Sequence, residues 1–234
     1  MGTAYWFYSN NRSLFSFVPL CHAKCYQKKK KIINLKKLST YLFLILFGFS
    51  APSFADDIRD FQIEGMSVGD SLLNHLSKEE IITEIKKNKP AYNYLTDKFG
   101  EVYIFNDENF KTYKRASFFV KPDDTNYIIY SVRGMLDYIE DIDGCLSKQK
   151  EIENEITKIL TEFDKRKSNF KSRRDPSGQS TFNQIIFKFK TGDEISISCS
   201  NWEESLRKKN NWTEGLSVIV EKKEVIDWIR KPIN

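Results

Sequence analysis

Histidine is nearly absent from this chain: there are two in 234 residues, His22 and His75. None occurs in residues 76–234, so the usual base for activating a serine or cysteine nucleophile is missing from most of the sequence. Cysteine is sparse as well, at four residues. Cys21 and Cys25 stand beside His22 in a Cys-x-x-x-Cys spacing without a second ligand pair, which argues against zinc there. The apolar stretch from Tyr41 to Ala51 falls well short of the roughly 20 residues that span a bilayer. Residues 56–234 contain no internal repeat and no long low-complexity linker, so they read as one domain. No triad, metal cluster or phosphate-cradling loop can be assembled from the inventory, and no cofactor is expected.

Acidic residues are missing from residues 1–55, which carry eight basic ones, including Lys28 to Lys31, Lys36 and Lys37. This basic run, the apolar stretch and the small residues Ser53 and Ala55 form an n-region, an h-region and a cleavage site, in order. The expectation is a signal peptide over 28–55, cut between Ala55 and Asp56; the alternative is a retained N-terminal anchor. No cysteine sits at the cut, which argues against a lipid anchor. Residues 1–27 are an unusual extension ahead of such a leader and point to a translation start assigned too far upstream. Removing the eight leader cations from the chain's 37 leaves 29 against 32 acidic residues, a net charge of −3. The high pI of the whole chain therefore belongs largely to the leader, and nucleic acid is not an expected partner.

Two cysteines survive cleavage, Cys145 and Cys199, and an even count in an exported chain favours a disulfide over two buried thiols. "FQIEGMSVGDS" reads as a strand running into a turn. "SLLNHLSKEEIITEIKKN" reads as two short helices broken at Ser77, where Ser77 and Glu80 resemble a capping box. Then "GEVYIF", "YKRASFFVK" and "NYIIYSVRGML" predict a three-stranded antiparallel meander. The longest helix is expected over 143–163, with Cys145, Ile152, Ile156, Ile159, Leu160 and Phe163 on its apolar stripe. A polar, basic loop over 164–180 follows. Ile185, Phe187 and Phe189 alternate on one strand and Ile195, Ile197 and Cys199 on the next, across a hairpin at Thr191-Gly192. Cys199 then faces the helix stripe that carries Cys145, which supports the bridge. A strand "GLSVIVE" and a helix "KEVIDWIRK" close the chain, with Ile226 and Ile229 docking the terminus.

Gly69-Asp70-Ser71-Leu72 is the signature string of the GDSL, or SGNH, hydrolases. The likeness covers four residues. That family also has a Gly-x-Asn-Asp block and a C-terminal Asp-x-x-His, whereas here Asn106-Asp107 lacks the glycine and the only nearby histidine is His75. Ser71 as a nucleophile is thus the weaker reading, and a turn at Gly69 with Asp70 or Ser71 capping a helix is the stronger. "EDIDG" at 140–144 fails as an EF-hand, because Ile139 and Lys150 occupy positions that need oxygen ligands. Asp137, Glu140, Asp141 and Asp143 are expected at the N-terminus of the long helix instead. Lys165, Arg166, Lys167, Lys171, Arg173 and Arg174 around Phe170 could hold an anionic surface, although a solvated loop is the simpler reading. Trp202, Trp212 and Trp228 either line a ligand groove or anchor a small core.

The strings "DFQIEGMSVGDSLL", "SKEEI", "YIIYSVRGMLDYIEDIDGC" and "FKTGDEISISCSNW" resemble an uncharacterised family of small exported proteins of marine alphaproteobacteria, over most of residues 58–230. The resemblance implies no activity. It implies that the Gly-Asp-Ser-Leu string is a structural turn and that the two cysteines pair.

The fold expected is α+β: an antiparallel sheet of six to seven strands packed against one long helix, with short N- and C-terminal helices. The function expected is that of a periplasmic or secreted, non-enzymatic binding or interaction module, whose partner is a periplasmic protein or a small ligand and which keeps no membrane span after cleavage. The alternatives are an envelope hydrolase using Ser71 and a membrane-surface protein using the basic segment 165–174.

Overall fold

Period-two alternation decides where the strands run. Ile185 and Phe187, then Ile195, Ile197 and Cys199, then Leu216, Val218 and Val220 each turn to one face, and all are buried. The computed structural model describes residues 57–92, 95–105, 107–210 and 212–230. The extension 1–27, the leader 28–55 and the Ala55–Asp56 cleavage point lie outside the described residues.

Among the described residues a 3-10 turn (Ile58–Asp60) comes first, then a two-stranded hairpin, β1 (Gln62–Ile63) and β2 (Met66–Ser67), and helix α1 (Lys78–Asn88). Then come β3 (Gly100–Phe105), β4 (Arg115–Val120), β5 (Ile129–Asp137) and the longest helix, α2 (Ile142–Ile159). The second half contains β6 (Asp164–Lys171), β7 (Thr181–Lys188), β8 (Glu194–Asn201), helix α3 (Glu204–Asn210), β9 (Gly215–Glu221) and helix α4 (Lys223–Ile229). Seven strands form one antiparallel sheet in the order β3-β4-β5-β9-β8-β7-β6. The α+β class and the antiparallel sheet are as expected, as are the β3–β5 meander and the β7–β8 hairpin. The Ser77–Glu80 capping box is complete: Glu80 accepts from the Ser77 amide, and the Ser77 hydroxyl accepts from the Glu80 amide.

One face of the sheet carries the main core. Val102, Phe118, Val132, Val220, Ile195 and Phe187 form a buried row across it, and α2 packs on β8 and β9. The long helix does not act alone, because α1 packs on β3 and brings Ile81 into the same core. Cys145, in the first turn of α2, is joined to Cys199 of β8 by a disulfide with 6.0 Å between Cα atoms.

The opposite face bears mostly polar side chains, with a smaller apolar cluster of Phe99, Phe119, Val225 and Trp228 at one end. A bulge sets this cluster up: the β4–β5 register skips Tyr130 between Phe119 and Val120, which brings its ring to 5.3 Å from Phe99.

Four expectations are corrected. Residues 164–171 are an edge strand, not part of a loop; the segment has no apolar alternation and takes its strand geometry from pairing with β7 along its whole length. On α2, Ile159 is exposed, while Gln149 and Glu153 are buried on the inner face. Polar side chains hold these places because they have partners. Gln149 donates to the carbonyls of Ile197 (2.9 Å) and Asn183 (3.0 Å), and Glu153 accepts from Lys165 (3.0 Å) and Lys167 (2.7 Å). The acidic cluster is also divided. Asp141 caps α2 and Asp143 lies in its first turn, but Asp137 belongs to β5 and pairs with Arg115, and Glu140 pairs with Arg207. Helix α3 was not foreseen from the sequence, since it buries no residue of its own.

The bridge closes a loop with a sequence separation of 54, which on the chain-entropy argument contributes on the order of 4 kcal/mol. Cys145→Ala/Cys199→Ala is expected to lose that amount in urea unfolding of oxidised protein. An unchanged midpoint would show that the bridge adds no stability.

Candidate functional site

Ser71 occupies a structural position. Gly69 adopts φ +100°, a conformation that side chains rarely take, and its amide donates to the Ile129 carbonyl at 2.9 Å. Asp70 accepts from the Ser67 amide at 2.8 Å, and its own carbonyl accepts from the Ile129 amide. The Ser71 hydroxyl donates to the Asn126 carbonyl at 2.6 Å and caps the 3-10 turn Leu72–Asn74 by accepting from the Leu73 amide. His75 ends that turn through its backbone and is exposed. The string therefore clamps the opening segment to the start of β5, and the hydroxyl proton is committed to a carbonyl.

The chemistry with no such internal use lies at the far end of the polar face. Phe170 of β6 pairs with Phe182 of β7, and Phe182 pairs with Ser200 of β8, so Trp202 follows two residues on along the same face. The rings form a continuous ladder. Phe170 and Phe182 are 5.4 Å apart and nearly parallel at 9°, Phe182 meets Trp202 edge to face at 4.9 Å, and Trp202 lies 4.3 Å from Trp212. Trp202 and Trp212 thus belong to one surface, whereas Trp228 is a core residue whose indole N–H donates to the Thr96 carbonyl at 3.0 Å.

A rigid turn brings cations to this ladder. Between β6 and β7, the Asp175 carboxylate accepts from the hydroxyl (2.7 Å) and amide (2.8 Å) of Ser177 and from the amides of Gln179 (3.0 Å) and Ser180 (2.6 Å). The Ser177 hydroxyl bond and these amides hold the Asp175 carboxyl well below the usual carboxylate range. The Ser172 amide closes the turn on the Ser180 carbonyl, and the Ser180 hydroxyl accepts from the Glu203 amide at the start of α3. With the backbone so fixed, Lys171, Arg173 and Arg174 are exposed, and no described residue offers any of them an ion-pair partner. Together with Phe170, Phe182 and Trp202 they line a groove of about 680 Å³, within the roughly 300–1,000 Å³ of ligand sites. Two other basic residues of the segment do not join them: Lys165 and Lys167 turn to the helix side, where Glu153 takes both, whereas Arg166 lies on the same face of β6 as Phe170. Burial opposes the charge on Glu153, but the bonds from Lys167 and Lys165 outweigh it and keep its carboxyl below the ordinary range.

A second titratable group lies toward the other end of the same face. Glu194 and Glu221 are directly opposed across β8 and β9, and Arg230 binds the Glu194 carboxylate at 2.7 Å and 3.3 Å. Burial pushes Glu221 up to about 7, against the pull of Arg133 and Arg230 and with a further push from Glu194.

Among the described residues no group of three or more His, Cys, Asp or Glu side chains is arranged for a metal ion, and no helix is long and apolar enough to cross a membrane. No family model, curated protein or solved structure matches the chain.

Glu221 yields a pH prediction. Its folded pKa, about 7, lies above the ordinary 4.5, so its stabilising contribution is complete below 4.5 and is lost as pH rises through 7. Glu221→Gln is expected to gain about 1–3 kcal/mol on the wild type between pH 5 and pH 8 in paired denaturant titrations. Parallel pH profiles for the two proteins would show that Glu221 is not shifted.

Proposed function

We propose that this protein is an exported, non-enzymatic binding module and that the aromatic and basic end of its polar sheet face is the binding surface. The observation that carries the reading is the ladder ending in Phe170, 46% exposed, beside three exposed cations that have no ion-pair partner among the described residues. An exposed ring and unpaired cations on an ordered turn do little for the fold. They suit a surface kept for contact with something else.

Export to the periplasm or beyond is supported by the basic and apolar leader and by the Cys145–Cys199 bridge, which persists in an oxidising compartment. Ser71 adds no catalytic reading, since its hydroxyl is already bound to the Asn126 carbonyl.

Two measurements on protein recovered from its source cells test this. The intact mass is expected to begin at Asp56 and to lack two hydrogens; a retained leader or two freely alkylated thiols would overturn export. In sedimentation with envelope material from the same cells, the wild type is expected to be retained. Phe170→Ala and Arg174→Gln should each lower retention several-fold. Equal retention of all three proteins would remove the groove from the functional account.

A further inference from the structure

We infer that the groove beside Phe170 binds an acidic glycan, a chain of pyranose rings carrying carboxylate, sulfate or phosphate groups. The inference rests on the reading of this face as a binding surface and names its ligand class. Two kinds of recognition lie side by side in the groove. Phe170, Phe182 and Trp202 supply ring surface, and Arg173 and Arg174 supply guanidinium forks on a turn already ordered by Asp175. A pyranose presents a flat C–H face that lies against an aromatic ring, while an acidic substituent at its rim projects in the ring plane. That substituent is within the chemistry of an arginine fork, which takes two oxygens of a carboxylate, sulfate or phosphate at once. Because the turn is fixed before binding, little ordering is needed when the ligand arrives.

Other anionic partners fit less well. A bilayer anchor needs apolar groups that can plunge into lipid, usually with a second signal beside them. Here only Phe170 is strongly exposed, and Trp202 is held against both Phe182 and Trp212. Lys165 and Lys167, which would widen a basic footprint, are occupied by Glu153. A nucleic acid carries a phosphate at every step and calls for a long basic track. The cations here, Arg166 and Lys171 on β6 and Arg173 and Arg174 on the turn that follows, form a short patch on a domain with a net charge of −3 over residues 56–234.

The test uses the intact protein and follows tryptophan fluorescence, since Trp202 lines the groove. The probes are uronate, sulfated and phosphorylated hexasaccharides, a neutral hexasaccharide, inorganic phosphate, and phosphatidylglycerol vesicles. At least one acidic hexasaccharide is expected to bind ten-fold or more tightly than the neutral one. Phe170→Ala and the pair Arg173→Gln/Arg174→Gln should each weaken it at least ten-fold, while thermal melting stays unchanged. Phe170→Tyr, which keeps the ring, should retain binding. Three outcomes overturn the inference: vesicles bind while no acidic hexasaccharide does; inorganic phosphate alone matches the best sugar; or no probe binds. If no probe binds but envelope retention still depends on Phe170, only the ligand class has failed and the binding surface stands. If that retention is also insensitive to Phe170, the functional reading fails with it.

Discussion

The pairing of β5 with β9 holds the sheet together. Strands β3 to β5 form one meander and β6 to β9 another, and among the described residues the strand pairing that joins them is the register running from Ser131 opposite Glu221 to Asp137 opposite Gly215. Entry into that register is tight. Gly215 has φ +141°, and a Cβ there would stand 2.2 Å from the Leu136 carbonyl oxygen, so glycine is what allows β9 to start where it does. The Tyr138 amide, donating to the Glu214 carbonyl at 3.1 Å, fixes the same corner.

This constraint propagates outward. With β9 inserted beside β5, the chain leaving β5 must reach β6 at the far edge, four strand spacings or roughly 19 Å away. Helix α2, at 18 residues and about 27 Å, is long enough for the crossing and lies on β8 and β9, where the disulfide pins its first turn. Its remaining polar contacts serve the same docking. Gln149 reaches backbone carbonyls of two neighbouring strands, and Glu153 gathers two lysines of β6. Lysines turned toward the covered side are a known guard on an edge strand, since a second chain pairing there would have to strip their charges. Glu153 gives that guard a fixed geometry.

Much of this was legible in the sequence because alternation and capping are local signals. Ile195, Ile197 and Cys199 announce both a strand and its inner face, and Ser77 with Glu80 announces a helix start. What was not legible depends on partners distant in sequence. Residues 164–171 alternate nothing apolar, so their strand state follows only from β7 beside them. The inner places of Gln149 and Glu153 on α2 are not legible either, because periodicity counts apolar residues and cannot see a carbonyl or a lysine waiting opposite. The ladder was hidden for the same reason. Phe170, Phe182, Trp202 and Trp212 are unrelated positions until the β6–β7–β8 register makes neighbours of the first three and α3 returns the chain to the fourth.

Phe170 is an exposed ring at the sheet edge, and the proposed binding surface rests on its position there. A ring on an outermost strand favours unwanted association, and the rest of β6 is built against that outcome, with Lys165, Arg166 and Lys167 along its length. A strand selected only to close a sheet would be better served by a charged or small residue at 170. The opposite edge offers a comparison. Phe105 of β3 is also exposed, but Lys87 sits over its ring at 5.6 Å and Tyr103 stacks on it. Phe170 has Phe182 on one side and an open groove on the other, and the cations around it have no ion-pair partner among the described residues. The same strand therefore excludes another strand along its first half and leaves a ring and charges accessible at its end, the division that the proposed contact surface calls for.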